Sequence, residues 1–161
     1  MRPETRLIKD GSHILPIRVY LEDSDTEGVV YYANYLRYSE RARTEMLRSV
    51  GCPHTDIKCL NKLVFAVRRC EVDYLTPARL DDELVVISGQ VVTEAASLWI
   101  EQRIQRGVEE IAKLLVRLVC IGKTGKPVRL PKKYCVTHFC HFWLLKCIST
   151  RDWIEKWNKL R

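Results

Sequence analysis

The hydrophobic period of the chain changes once, and the change separates a helix from a sheet. Over residues 33–50 the apolar or small positions Tyr35, Tyr38, Ser39, Ala42, Met46 and Val50 recur at steps of three and four, with Arg37, Arg41 and Arg48 between them. That spacing predicts an amphipathic helix with one face on a core and its arginines in water. Gly51 and Pro53 supply the stop: the first readily takes a left-handed C-terminal conformation and the second cannot continue the ladder. After Asn61 the runs KLVFAVRRCEVDYL, ELVVISGQVVT, SLWIEQRIQR and EIAKLLVRLVCIG predict four strands. Alternation puts Leu98, Ile100 and Ile104 on one face against Trp99, Glu101, Arg103 and Gln105, and it puts Ala112, Leu114, Val116, Leu118 and Cys120 opposite Lys113 and Arg117. The connections TPARLDD, TEAAS and RGVE are too short for parallel crossovers, so the strands are expected to be antiparallel neighbours. Upstream, ILPIRVYL at 14–21 predicts one more strand, running into the acidic loop EDSDTEG at 22–28. The expected class is α+β: an antiparallel sheet with one helix laid on its apolar face.

Composition narrows this little. At 161 residues the chain suits one domain with a sizeable core, and apolar and charged fractions of 47% and 29% belong to a globular protein. A net charge of +7 favours anionic ligands. The basic residues stand singly or in pairs (Arg68 and Arg69, Arg103 and Arg106, Lys132 and Lys133), which argues against nucleic acid as the partner. Seven irregularly spaced cysteines and no leader-like N-terminus read as free thiols in a reducing cytoplasm. The apolar stretch at 139–148 contains Lys146 and is half the roughly 20 residues of a spanning helix, so no transmembrane segment is expected.

The candidate chemistry lies in residues 20–43. Asp25 is followed by Gly28, which permits a tight backbone path, and the helix begins a few residues later. Such a loop can bring a carboxylate beside the free N–H groups of a helix N-terminus, one to attack a carbonyl carbon or activate water, the other to hold the developing oxyanion. Plainer readings stand beside this one. Asp25 in a loop also reads as a turn or cap residue, Asp23 as a turn residue, and Glu22 and Glu27 as surface charges. Glu40 and Arg43 read as a helix-surface ion pair or as support for the loop, and Tyr31, Tyr32 and Tyr35 as core and interface aromatics or as a pocket. Arg68, Arg69, Arg103, Arg106, Lys123 and Lys126 read as surface charges.

The run EDSDTEGVVYYANYLRYSERARTEML resembles the signature of the 4-hydroxybenzoyl-CoA thioesterase/YbgC family: an acidic residue, D-T-D or D-C-D, a glycine, V-V-[YW], N-Y and E-x-A-R. Asp25, Gly28, Asn34, Tyr35, Glu40, Ala42 and Arg43 fall in register, and FAVRRCEVDYLTPARLDDELVV resembles the family's long second strand and the turn after it. The likeness spans about residues 14–133. It implies a hotdog fold, an antiparallel β-sheet wrapped around one long central α-helix, assembled as a homodimer or homotetramer with each active site across a subunit interface. It further implies hydrolysis of an acyl-CoA, or of an acyl carrier protein thioester, to a carboxylic acid and a thiol, with no cofactor and no metal. Asp25 would be the nucleophile or general base and the Tyr32 backbone N–H the carbonyl-polarising donor, with Gly28, Tyr31, Asn34 and Tyr35 as substrate-binding positions. Many YbgC-type members carry His where Tyr32 stands, so a mechanism through that imidazole is closed to this chain. Two other readings remain open: a hotdog dehydratase acting on acyl thioesters, and a noncatalytic acyl-thioester-binding or membrane-associated scaffold.

Residues 1–134 form the expected domain and residues 135–161 an appendage outside the likeness. Cys135, His138, Cys140 and His141 crowd within seven residues but form no C-x2-C or H-x3-H unit, so no metal site is expected there. Trp143, Leu144, Leu145, Trp153, Ile154 and Trp157 suit docking onto the domain, a neighbouring subunit or an acidic membrane surface. A chain ending at Tyr134 is therefore expected to keep the fold and any Asp25-dependent hydrolysis. Thiol release per folded subunit, with light scattering for assembly, checks this; a folded, equally assembled and inactive truncation would place the tail in the active site.

Overall fold

The structure, a computed structural model, describes residues 6–7, 12–49 and 63–130. The tail with its Cys/His cluster and tryptophans, the Gly51–Pro53 stop and the Lys132–Lys133 pair lie outside the described residues. In chain order the elements are β1 (Arg6–Leu7), β2 (His13–Arg18), a short 3-10 turn (Leu21–Asp23), helix α1 (Tyr32–Ser49), β3 (Val64–Tyr74), β4 (Glu83–Thr93), β5 (Ser97–Arg106) and β6 (Glu109–Ile121). The six strands form one sheet in the order β1-β2-β4-β5-β6-β3, and every neighbouring pair is antiparallel. The expected helix and all five expected strands are present, and a two-residue strand at Arg6–Leu7 adds a sixth.

Helix α1 packs chiefly over β2 and β4. Its buried stripe of Tyr35, Tyr38, Ala42 and Met46 meets Leu15 and Ile17 of β2, Leu84 and Val86 of β4, Ile100 and Ile104 of β5, and Leu114 and Val116 of β6. Each such aliphatic side chain, fully removed from water, contributes about 1.5–3 kcal/mol before chain entropy is counted. That burial fixes the angle of the helix on the sheet and hence the place of its N-terminus.

The inner face also carries a polar row. His13 on β2 stands opposite Ser88 on β4, which stands opposite Gln102 on β5. Gln102 is fully buried: its Nε2 donates to Ser88 Oγ at 2.8 Å and to the Ser39 carbonyl at 3.1 Å, and its Oε1 accepts from Arg43 Nη1 at 2.7 Å. Arg43 also donates to Ser39 Oγ at 2.8 Å and pairs with Glu40. The expected helix-surface pair thus has one partner, Glu40, in water and the other, Arg43, in the core.

On the outer face the alternation is right for β5 but exposure does not follow it. Trp99 is 6% exposed, because the Arg117 guanidinium lies 5.2 Å from its ring centroid and Glu94 Oε1 accepts its Nε1–H at 3.2 Å. Glu94 also takes Ser97 Oγ and Arg117 Nη2 at 2.6 and 2.7 Å, and these contacts, led by the Ser97 hydrogen bond, hold its carboxyl below the usual carboxylate range. Strand β3 is an edge of the sheet, with Val64, Val67 and Tyr74 exposed and a bulge between Val67 and Arg69.

His13 has no solvent access, and neither ring nitrogen has a hydrogen-bond partner among the described residues. Burial lowers its pKa below the ordinary 6.5, against a smaller opposing pull from Glu45. The unfolded chain therefore binds this proton more readily than the folded one, so stability is full above pH 6.5 and falls as pH drops below it. Melting temperatures at pH 7.5 and 5.5 check this: the wild type is expected to lose stability on acidification, and His13→Phe is expected to lose less.

Candidate active site

The site is built on the loop between β2 and α1. Val19 exchanges backbone bonds with the turn before β4, donating to the Asp82 carbonyl at 3.0 Å and accepting from Asp81 N at 3.1 Å. Val30 donates to the Ala78 carbonyl at 2.8 Å. That turn is itself braced, because Asp82 Oδ2 accepts from Arg79 N at 2.8 Å and from Arg106 Nη1 at 2.6 Å. The loop therefore rests on strand ends rather than hanging in solvent.

Within the loop, residues 24–30 close on themselves. Asp25 N donates to the Val29 carbonyl at 2.9 Å, and Gly28 N to the Asp25 carbonyl at 3.1 Å. Gly28 has φ +72°, in the left-handed region, with nothing within 4 Å of where a Cβ would stand; its requirement is conformational, not spatial. Asp25 Oδ1 accepts from Glu27 N at 2.9 Å and Val29 N at 3.4 Å. Oδ2 has no hydrogen bond among the described residues. One carboxylate oxygen is thus tied by the turn and the other is open.

Asp23 ties this loop to the helix. It is 7% exposed, its Oδ2 accepts from Tyr20 N at 3.0 Å, and its main-chain carbonyl accepts both Tyr31 N at 2.9 Å and Asn34 Nδ2 at 2.8 Å. Beside it the Tyr38 hydroxyl is buried, with no partner at full hydrogen-bond geometry among the described residues, and burial, then the charge and proximity of Asp23, raise its pKa. Asp23 is therefore a buried organiser where the sequence suggested a turn residue; its short spacing from Asn34 in the chain gives no sign of that bond.

At the helix start the Tyr32 and Ala33 amides have no acceptor among the described residues, as expected of the first turn of a helix. Asp25, Tyr31 and Asn34 line one open pocket of about 270 Å³ together with Glu22, Ser24, Ala33 and Arg37. Gly28, Tyr32 and Tyr35 are not on its wall; Ala33 and Asn34 are the part of the helix start that reaches it. Tyr35 is 3% exposed and its hydroxyl accepts Ala78 N at 3.0 Å, so it supports the loop from below. The Tyr32 ring lies against Tyr31 and Tyr74, with centroids 4.6 and 6.5 Å away, and Tyr74 Oη donates to the Tyr32 carbonyl at 3.2 Å. A hydrogen bond with Tyr32 is the leading cause of the raised Tyr31 pKa. The sequence marked Arg37 only as a solvent-facing arginine of the helix, although its position three residues after Asn34 places both on one helix face.

A carboxyl group with one open oxygen and the unpartnered start of a helix, with Ala33 on the same wall, suit attack on a carbonyl. Residues 19–142 match the model of the thioesterase-like superfamily. The chain belongs to this family. It is 39% identical over 126 residues to the acyl-CoA thioesterase YbgC of Haemophilus influenzae, covering 77% of this chain and 92% of the relative, and 42% identical over 121 residues to the Escherichia coli acyl-CoA thioester hydrolase YbgC, covering 73% and 88%. A probable thioesterase from Bartonella henselae superposes with a TM-score of 0.71 at 35% identity, covering 74% of this chain and 99% of its own. The 4-hydroxybenzoyl-CoA thioesterase of a Pseudomonas strain, at 18% identity, shares the fold with a TM-score of 0.72. The sheet curved about one long helix is the hotdog fold of these thioesterases. No group of three or more metal-ligating side chains occurs among the described residues, and no helix there is long and apolar enough to cross a membrane.

Because the Asn34–Asp23 bond is buried and joins loop to helix, Asn34→Ala is expected to cost about 1–3 kcal/mol. Asn34→Asp, which sets a carboxylate against a carbonyl, is expected to cost at least as much. Urea unfolding of both variants checks this, and two wild-type-like midpoints would show that the tie is dispensable.

Proposed function

We propose that the chain hydrolyses acyl-CoA thioesters, with Asp25 as the reacting carboxylate and the Tyr32 main-chain N–H as the donor to the thioester oxygen. The observation that carries the assignment of Asp25 is its free Oδ2 in the same pocket as the start of α1, where the first amides are unpartnered. The activity itself rests on membership of the thioesterase-like family and on the YbgC relatives, which are named acyl-CoA thioesterases.

In this reading the carbonyl oxygen sits on the Tyr32 amide, which withdraws electron density from the carbon and holds the negative charge as it develops. Asp25 then either adds to that carbon, expelling the CoA thiolate and leaving a mixed anhydride that water opens, or takes a proton from the water that attacks directly. Both routes convert thioester and water to carboxylic acid and thiol. Acyl carrier protein thioesters present the same reacting group and are a further candidate substrate. A second copy of the chain suits the long edge of β3, which has no neighbouring strand on that side among the described residues, and the half-exposed rings of Tyr31, Tyr32 and Tyr74, since an unpaired edge of this length invites pairing. A homodimer or homotetramer in the cytoplasm, with peripheral membrane contact through the tail as an option, is the setting we propose.

Asp25→Asn keeps the shape and loses the anion, so kcat for a saturated acyl-CoA is expected to fall by about 100- to 10,000-fold in a folded protein. Tyr32→Phe is expected to be mild, because the donor is the main chain. Thiol release measures both. Wild-type turnover in Asp25→Asn would remove this carboxylate from the chemistry, and absence of thiol release from any saturated acyl-CoA by the wild type would favour a dehydratase or a binding scaffold.

A further inference from the structure

The Asp25 pocket has on its wall an arginine that no carboxylate among the described residues engages. Among those residues, seven arginines (Arg18, Arg43, Arg48, Arg69, Arg103, Arg106 and Arg117) pair with an Asp or Glu, and several others, such as Arg41 and Arg79, do not; what sets Arg37 apart is its place in the pocket. Arg37 is exposed, lies one turn into α1, and has neither an ion pair nor a hydrogen bond among the described residues. It lines the pocket with Asp25 and Glu22, so the wall carries two carboxylates and, among the described residues, a single cation.

A guanidinium offers five N–H donors in a planar fork that fits two oxygens of a carboxylate or phosphate at once. Glu22 and Asp25 repel any anion that enters, and a free guanidinium in the same cavity is what offsets that repulsion. A neutral ligand feels neither effect strongly. The charge at position 37 therefore acts on the difference between anionic and neutral ligands more than on binding as such.

We propose that Arg37 is the anion receptor of this pocket and selects thioesters that place a carboxylate or phosphate oxyanion within its reach. The inference rests on the pocket being the thioester site. The oxyanion has two sources, the far end of a dicarboxylic acyl group or the phosphates of the CoA moiety, and the two call for different substrates in the test.

Wild type, Arg37→Gln and Arg37→Lys are compared on hexanoyl-CoA, on adipoyl-CoA, which adds a terminal carboxylate at the same carbon count, and on hexanoyl-pantetheine, which lacks the phosphates. If the acyl end is the source, Arg37→Gln lowers the adipoyl-CoA to hexanoyl-CoA ratio of kcat/KM by about 10-fold at low salt. If the CoA phosphates are the source, the ratio that falls is hexanoyl-CoA to hexanoyl-pantetheine. In either case the loss is in KM, Arg37→Lys recovers part of it, and the effect shrinks with salt. Both ratios unchanged, whether or not the overall rate falls, overturns the proposal. Calorimetric Kd ratios for the same ligands on Asp25→Asn read the selectivity without turnover. Wild-type thiol release by Asp25→Asn would sink the catalytic assignment alone, because the Arg37 ratios can be read whichever group performs the chemistry.

Discussion

Two hydrogen bonds converge on one backbone oxygen, the Asp23 carbonyl, from Tyr31 N and Asn34 Nδ2, and through them the loop that carries Asp25 is joined to the first turn of α1. Everything chemical in the pocket depends on that junction. The amides at the helix start are useful only if a carboxylate stands near them, and neither backbone segment would settle there by local preference alone. The buried Asp23 side chain completes the junction by accepting Tyr20 N, so one residue holds the strand exit, the loop and the helix entrance. Gly28 closes the turn behind it, and Oδ1 of Asp25 is held by two further amides, leaving Oδ2 for a ligand.

The helix in turn is placed by what lies beneath it. Most of that contact is aliphatic, but the row of Ser88, Gln102, Ser39 and Arg43 adds direction to it. A buried guanidinium or amide left without partners costs more than its bonds return when made, so such a row has one good register and several poor ones. It resists sliding of α1 along the sheet in a way that Leu against Ile does not. His13 at the end of the row is the exception: it is as buried as Gln102 but has no hydrogen-bond partner among the described residues, and burial lowers its pKa.

The helix and the strands were legible because their periods are written in side chains that face a single core, as Tyr35, Tyr38, Ala42 and Met46 do on α1 and Leu98, Ile100 and Ile104 on β5. What was hidden depends on long-range partners. Trp99 sits on the face that alternation marks as wet, and it is buried only because Arg117 and Glu94 cover it from another strand and a turn. Arg43 shows a surface pattern with Glu40, yet Gln102, distant in sequence, draws it inward. In the pocket, Asp25, Tyr31 and Asn34 could be named from the motif, whereas Arg37 and the organising role of Asp23 required knowing which way the loop folds back. The 3-10 turn at Leu21–Asp23 likewise takes the last residue of the expected strand 14–21, which in fact ends at Arg18, and the first two of the expected acidic loop.

The central claim is geometric: a thioester carbonyl lies between the Asp25 carboxylate and the start of α1. A crystal structure of Asp25→Asn with an intact acyl-CoA bound tests it most directly. The account predicts the carbonyl oxygen about 2.7–3.1 Å from the Tyr32 main-chain nitrogen, with the carbonyl carbon facing the side chain at position 25. A thioester bound with its oxygen turned away from the helix start, or bound in another cavity, would contradict it.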